Sequence, residues 1–117
     1  MAALTTQVFD TLHGRPADGV HVEVFWLGPN DAIHPIREMV TVEDGRTTKP
    51  LMGGDEFERG EYELRFHVGA YFREHSVVEV EPRFLNVISV RIAIADADQD
   101  YHVPLVVSPW SYTVYRG

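Results

Sequence analysis

Hydrophobic and polar residues alternate along much of this chain with a period of two. Residues 20–26 read VHVEVFW, and residues 61–68 place Tyr62, Leu64 and Phe66 on one phase, with charged residues between them. Successive side chains of a β-strand point to opposite faces, so this pattern is typical of strands with one face on a core and one in water. We therefore predict a strand in each of these two segments.

Further extended segments follow at short intervals. Turn residues separate four more segments that are apolar or alternating, namely residues 33–41, 76–81, 87–95 and 103–107. Residues 49–60 are rich in glycine and are expected to be irregular. One short helix is predicted over residues 70–74, because no longer window repeats apolar residues at helical spacing. With the edge strand expected in the closing segment 108–116, seven or eight short strands and one short helix predict an all-β sandwich of two sheets.

The size and composition of the chain fit one folded domain. The 117 residues match the commonest domain size, so we assign residues 1–117 to a single unit. Hydrophobic residues make up 44% and charged residues 24%, the balance of a chain that buries a core. The sequence has no cysteine, which excludes disulfides, thiolate metal sites and cysteine nucleophiles.

The net charge narrows the classes of partner. A formal charge of −8 repels phosphate backbones, so nucleic acid is not an expected partner. No apolar run approaches the roughly 20 residues that span a bilayer, so we expect no membrane insertion. The chain begins without a basic region followed by an apolar stretch, and we expect a soluble, cytoplasmic protein.

Three groups of motifs carry a resemblance to a known family. LTTQVFDT at residues 4–11 is followed by GRPA at 14–17, and EDGR at 43–46 is followed by GEYELRF at 60–66 and GAYF at 69–72. The last group is YHVPLVVSPWSYTVYRG at residues 101–117. These motifs resemble the 5-hydroxyisourate hydrolases, the purine-catabolic branch of the transthyretin-like family, and they are spread over nearly the whole chain.

The resemblance implies a fold and an activity. The fold is a prealbumin-like sandwich of two four-stranded sheets with one short helix, assembled as a homotetramer (a dimer of dimers) with sites in a channel at the dimer interface. Enzymes of this branch add water to the C6 carbonyl of 5-hydroxyisourate and open its ring during urate degradation. We therefore expect a small heterocyclic substrate and no cofactor.

The resemblance also assigns site residues. The positions that match the family's site are Gln7, Arg46, His102 and the segment 115–117. Two of them depart from the family pattern: the family has histidine where this chain has Gln7, and it has a serine after the glycine that matches Gly117. Ser108, Thr113, Tyr115 and Arg116 are assigned with Arg46 to substrate binding.

Each of the three central residues offers a different chemistry. An imidazole such as His102 titrates near neutrality and can take a proton from an attacking water. A guanidinium such as Arg46 can hold a carbonyl-rich ring through two parallel hydrogen bonds and stabilise a developing oxyanion. A carboxamide such as Gln7 donates and accepts hydrogen bonds but exchanges no proton near pH 7. The other five histidines show no zinc-site spacing, and we predict no metal.

Gln7 leaves several functions open. The leading hypothesis is a hydrolase acting on 5-hydroxyisourate or on a ring-substituted relative such as an N-methylated one. A second is an enzyme of the same fold recruited to another heterocycle. A third is a non-catalytic binding protein of the transthyretin type, although a carrier of apolar ligands would not need a polar set such as Arg46 and His102.

Overall fold

The computed structural model describes residues 2–117 and contains short strands, one α-helix and two single-turn 3₁₀ segments. The strands are β1 (Ala3–Asp10), β2 (Arg15–Pro16), β3 (His21–Leu27), β4 (Ile33–Val40), β5 (Met52–Gly53), β6 (Gly60–Phe66), β7 (Ile88–Ile94), β8 (Tyr101–Val107) and β9 (Tyr112–Val114), and the helix is α1 (Val68–Glu74). The 3₁₀ segments are Pro29–Asp31 and Gly54–Glu56. No helix among these residues is long and apolar enough to cross a bilayer.

The strands form two sheets that pack face to face. The first sheet has the order β2-β1-β8-β9, with β5 pairing near the start of β1 on the same edge as β2, and the second has the order β4-β3-β6-β7. Strands β1 and β8 are parallel, whereas the other neighbours are antiparallel. The predicted two-sheet sandwich with one short helix is confirmed. The first sheet has five strands instead of the four expected, because the two-residue strand β5 also pairs with β1.

The core is made of the inward phase of both sheets. In β6 the side chains of Tyr62, Leu64 and Phe66 are buried, as the alternation predicts. In the facing sheet the buried positions alternate in the same way along β1 and β8, where Leu4 and Leu105 are fully enclosed. Because side chains alternate between faces, the other phase of β1 and β8 points away from this core.

Residues 76–81 do not form the strand that their valines suggested. The segment pairs with no strand, and Val78 and Val80 are 93% and 87% exposed. It is held by Arg83, whose buried guanidinium donates to the Val77 carbonyl at 2.6 Å and to the carboxylates of Glu79 and Glu81 at 3.0 Å. The prediction was wrong because β-branched residues favour a strand only where a neighbour can pair with it.

A buried carboxylate ties the helix to the first sheet. Asp10 at the end of β1 is fully buried, and the Tyr71 hydroxyl of α1 donates to its Oδ2 at 2.6 Å. Burial by itself raises the pKa of Asp10, but hydrogen bonds from Tyr71 and His13 outweigh it and hold that pKa below its ordinary value. Burial and the Asp10 charge raise the pKa of Tyr71. The helix, predicted over 70–74, begins two residues earlier at Val68.

Replacing Tyr71 with phenylalanine tests this contact. The variant leaves the buried Asp10 carboxylate without one of its donors, so we expect the free energy of unfolding at neutral pH to fall by about 1.5–3 kcal/mol. Urea denaturation measures the loss. Tyr62→Phe is the matched control, because the Tyr62 hydroxyl donates to the neutral carbonyl of Glu58 and its loss should cost about 1 kcal/mol.

The difference between the two variants should depend on pH. The lowered pKa of Asp10 in the folded state means that its charge stabilises the fold above the unfolded-chain value of about 3.9, and that this stabilisation is lost as the pH falls. The deficit of Tyr71→Phe should therefore shrink in acid. Equal losses for the two variants at all pH values would contradict a charged bond at Asp10.

Candidate active site

The outward face of the first sheet carries the central residues of the predicted site. In the parallel register of β1 and β8, Thr5 lies opposite His102 and Gln7 lies opposite Pro104. The neighbouring positions on β1, Leu4 and Thr6, are buried, whereas Thr5 and Gln7 are only partly buried. Residues far apart in the chain therefore meet on one face of two adjacent strands.

A tight turn brings Arg46 to the same face. Arg46 forms a single β-bridge with Gln7, and the Val8 amide donates to the Gly45 carbonyl at 2.9 Å. Gly45 has a φ of +80°, and a Cβ at this position would lie 2.4 Å from the Val8 carbonyl oxygen. Only glycine allows this approach, so the Asp44-Gly45-Arg46 turn can lie directly against β1.

His102 is oriented by a neighbouring hydroxyl. Its Nδ1 lies 2.8 Å from the Thr5 Oγ1, a contact between side chains on paired strands. Burial lowers the pKa of His102 below its ordinary value, and the positive charge of Arg46 lowers it further. Both effects favour the neutral imidazole, which is the form that accepts a proton.

Gln7 is held in one orientation by the same turn. Its Nε2 donates to the Asp44 carbonyl at 2.8 Å, and a carbonyl can only accept, so the amide nitrogen must face the turn. The side-chain oxygen makes no hydrogen bond within residues 2–117 in this structure. Gln7 therefore presents a free acceptor, while one of its two amide N–H donors is engaged.

The end of the chain contributes backbone and a hydroxyl to this face. In the pairing of β8 with β9, Thr113 lies opposite Val106, on the same phase as His102 and Pro104. The Gly117 amide donates to the His102 carbonyl at 2.8 Å, and a Cβ at Gly117 would lie 3.1 Å from the His102 ring. The last residue thus lies in contact with the imidazole.

Other residues expected at the site make contacts of their own in the single chain. The Arg116 guanidinium stacks on Tyr101 at 3.9 Å from the ring centre and donates to the Gln99 side chain and the Asp100 carbonyl. Because Tyr101 faces the core, Arg116 lies on the side of the sheet opposite His102. The Ser108 hydroxyl is engaged in a turn with Ser111, accepting from its amide at 3.1 Å.

Tyr115 is about half exposed and lines an apolar cleft at the sheet edge. This cleft, of about 300 Å³, lies between β7 and β9 and is also lined by Arg116. One chain therefore places Gln7, Arg46, His102 and Thr113 on the same face, whereas Arg116 lies against Tyr101 and the Ser108 hydroxyl is engaged in its own turn. Sequence reasoning missed Thr5, although its position two residues before Gln7 on a strand already indicates a shared face.

The assembled groups define what this face can do. A neutral imidazole, a guanidinium and an oriented carboxamide oxygen can accept a proton from water, hold a carbonyl oxygen and bind a ring N–H. Within residues 2–117, no three His, Asp or Glu side chains are grouped so that they could hold a metal ion. The chemistry available from these side chains is that of acid-base catalysis.

Comparison with known proteins assigns the chain to a family. The family model described as HIUase/Transthyretin family matches residues 4–117, and the chain belongs to this family of two-sheet sandwich proteins. It is 50% identical to 5-hydroxyisourate hydrolase 2 of Rhizobium meliloti over 97% of this chain and 94% of that protein. It is 46% identical to the 5-hydroxyisourate hydrolase of Deinococcus radiodurans, again over 97% and 94%.

Solved structures agree with this assignment. The crystal structure of (S)-allantoin synthase superimposes with a TM-score of 0.92 and 41% identity, over 99% of this chain but only 43% of that one. The Klebsiella pneumoniae 5-hydroxyisourate hydrolase gives a TM-score of 0.78 with 25% identity over 99% of both chains. Sea bream transthyretin in complex with thyroxine, 24% identical over 99% of this chain and 95% of that one, has a TM-score of 0.89 and shares the fold.

The electrostatic link between Arg46 and His102 is directly measurable. An NMR titration of the His102 ring should give a pKa below the ordinary 6.5. Arg46→Gln removes the charge but not the burial, so the pKa should rise while staying below that of an exposed histidine. If catalysis requires the neutral ring, the rate of the variant should begin to fall at a higher pH than the rate of the parent as the solution is made more acidic. Arg59→Gln is the control, because Arg59 does not shift His102, and an equal rise in both variants would argue against the link.

Proposed function

We propose that this chain is a hydrolase that opens the ring of 5-hydroxyisourate. The observation that carries the proposal is the convergence of His102, Arg46 and Gln7 on one outward face, in a chain half identical to a protein named 5-hydroxyisourate hydrolase. The three groups come from β1, β8 and the turn at Gly45, all held by backbone hydrogen bonds. Rigid elements of this kind can keep reacting groups oriented.

His102 serves as the general base in this proposal. Its neutral imidazole takes a proton from a water whose oxygen forms a bond to the ring carbonyl carbon, giving a tetrahedral oxyanion. When the intermediate collapses, the ring carbon–nitrogen bond breaks, and the proton on His102 passes to the leaving nitrogen. The ring opens to a carboxylic acid, and His102 returns to its starting form. The lowered pKa keeps His102 ready for this step at neutral pH.

Arg46 has two roles that follow from one positive charge. It holds the substrate carbonyl and stabilises the oxyanion that forms on it. The same charge disfavours protonation of His102 before substrate arrives. Thr113 lies on this face and adds a hydroxyl to the substrate-binding set, and a partner copy would have to bring Ser108, Tyr115 or Arg116 into reach.

Gln7 selects the substrate rather than moving protons. With its amide nitrogen donating to Asp44, its oxygen is left to accept from a ring N–H. Among substituted analogues, this orientation favours those that keep an N–H at the nitrogen facing Gln7. His102 is then the single side chain of the site that carries a proton through the reaction.

Stopped-flow absorbance with freshly generated 5-hydroxyisourate tests the activity. We expect the parent protein to accelerate the decay of the substrate, and His102→Ala to reduce the rate by about 10² to 10⁴, the usual contribution of a positioned base. His34→Ala, a histidine of the other sheet stacked on Trp26, is the matched control and should keep the parent rate.

The Gln7→His variant separates a scaffold that has lost this activity from a protein with another substrate or a binding role. One outcome is that the parent leaves the decay rate of 5-hydroxyisourate at its uncatalysed value while Gln7→His accelerates the decay. In that case the scaffold is intact, but the chain is not a working hydrolase for this substrate. Inactivity of both forms would favour another heterocycle or a binding role instead.

We infer further that the chain assembles as a homotetramer, a dimer of dimers. Large apolar side chains are exposed in the single chain: Phe84 is 76% exposed and Trp110 is 59% exposed. Strands β7 and β9 are edge strands, and each has one edge that is unpaired within the described chain. Such an edge favours pairing with a strand of another copy. The face that bears His102 is also open, and a second copy facing it would enclose the substrate.

Sedimentation velocity tests the assembly. We expect the parent to sediment as four copies of the 13.3 kDa chain. Trp110→Glu should shift the population to smaller species, because a charge replaces an apolar side chain at the proposed interface. Val40→Glu, at an exposed position on the other sheet, is the control. A parent that sediments as one chain at micromolar concentration would contradict the tetramer.

A further inference from the structure

A hydroxyl outside the expected site residues contacts the proposed base. The Thr5 Oγ1 lies 2.8 Å from the Nδ1 of His102, and the two residues are direct partners in the parallel pairing of β1 with β8. Thr5 is separated from His102 by 97 positions in the chain, so the contact depends on the fold and not on local sequence. No residue assignment made from the motifs includes it.

The contact determines which ring nitrogen is available for chemistry. A neutral histidine carries one proton, on either Nδ1 or Nε2, and the nitrogen without it is the base. With Nδ1 engaged by Thr5, Nε2 is the nitrogen left for a substrate or water. Nε2 has a free lone pair only when Nδ1 carries the proton and donates it to the threonine oxygen. A threonine hydroxyl can accept such a bond.

We propose that Thr5 is the positioning residue for His102: it accepts a hydrogen bond from Nδ1–H and so keeps Nε2 unprotonated and aimed at the reacting water. The inference rests on the proposed hydrolase function, in which His102 is the base. Thr5 does not itself contact the substrate in this scheme and acts through the imidazole.

The surroundings suit such a role. Threonine is β-branched, so its χ1 angle is restricted, and its hydroxyl direction is largely set by the strand backbone. The pairing of β1 with β8 runs without a register shift from Leu4 to Asp10, which holds both Cα atoms in place. A Cβ at Gly117 would lie 3.1 Å from the His102 Cδ2, so the Gly117 backbone leaves little free space beside that edge of the ring.

The test uses three variants of the full chain. Thr5→Val keeps the shape and removes the hydroxyl, whereas Thr5→Ser keeps the hydroxyl. Thr6→Val is the matched control, because the Thr6 hydroxyl also bridges β1 and β8, donating to the Val103 carbonyl at 2.7 Å, but on the buried face. Loss of strand pairing alone would therefore affect Thr6→Val at least as much as Thr5→Val.

The first readout is independent of activity. In long-range ¹H–¹⁵N spectra of His102, recorded well above its pKa, we expect Nδ1 to be protonated and Nε2 to be bare in the parent, Thr5→Ser and Thr6→Val. In Thr5→Val the population should move toward the Nε2–H form. A parent with its proton on Nε2, or unchanged nitrogen shifts in Thr5→Val, would overturn the proposal.

The second readout is kinetic and uses 5-hydroxyisourate. We expect Thr5→Val to lower kcat by about tenfold or more, a part of the 10² to 10⁴ contributed by a positioned base, with KM little changed. Thr5→Ser should recover most of the rate, and Thr6→Val should keep it. A change in KM alone, or equal losses in Thr5→Val and Thr6→Val, would overturn the role in positioning.

The two readouts separate this inference from the function on which it rests. If the parent does not turn over 5-hydroxyisourate, the proposed function fails, and the nitrogen shifts alone decide whether Thr5 sets the protonation of His102. If the parent is active and the shifts do not respond to Thr5→Val, the function stands and the positioning role fails.

Discussion

The parallel pairing of β1 with β8 is the interaction on which the rest of the structure depends. It joins the first strand to the second-last through seven residue pairs, from Leu4–Tyr101 to Asp10–Val107. Parallel strands need a long connection, and here that connection contains the whole second sheet. Closing the pair therefore closes the sandwich, and the same pairing places Thr5 beside His102.

The two faces of this strand pair divide stability from chemistry. The inward phase, with Leu4, Thr6 and Leu105, is buried and holds the sheets together. The outward phase carries Gln7 and His102, whose polar atoms face away from the core. Because side chains alternate strictly along a strand, a change on one face can be made without altering the other. This separation allows one sandwich to serve different ligands through a few outward residues.

Much of the fold and part of the site can be predicted from the sequence. Period-two alternation correctly indicates β6 and its buried phase, and short-range patterns limit the helix to α1. Alternation cannot tell whether a segment has a partner, which is why residues 76–81 were misassigned. The partner of β1, the role of Thr5 and the position of Arg116 against Tyr101 all depend on contacts between distant residues, which no local pattern encodes.

Gln7 changes the electrostatics of the site as well as its hydrogen bonding. An imidazole at this position would add a second titrating group near Arg46, and its charged form would compete with protonation of His102. A carboxamide carries no charge, so within residues 2–117 burial and the charge of Arg46 are the influences that lower the pKa of His102. In the proposed mechanism, proton transfer at the site then depends on the His102 ring alone. The orientation of that ring by Thr5 matters more in this chain than it would with a second histidine available to share the proton.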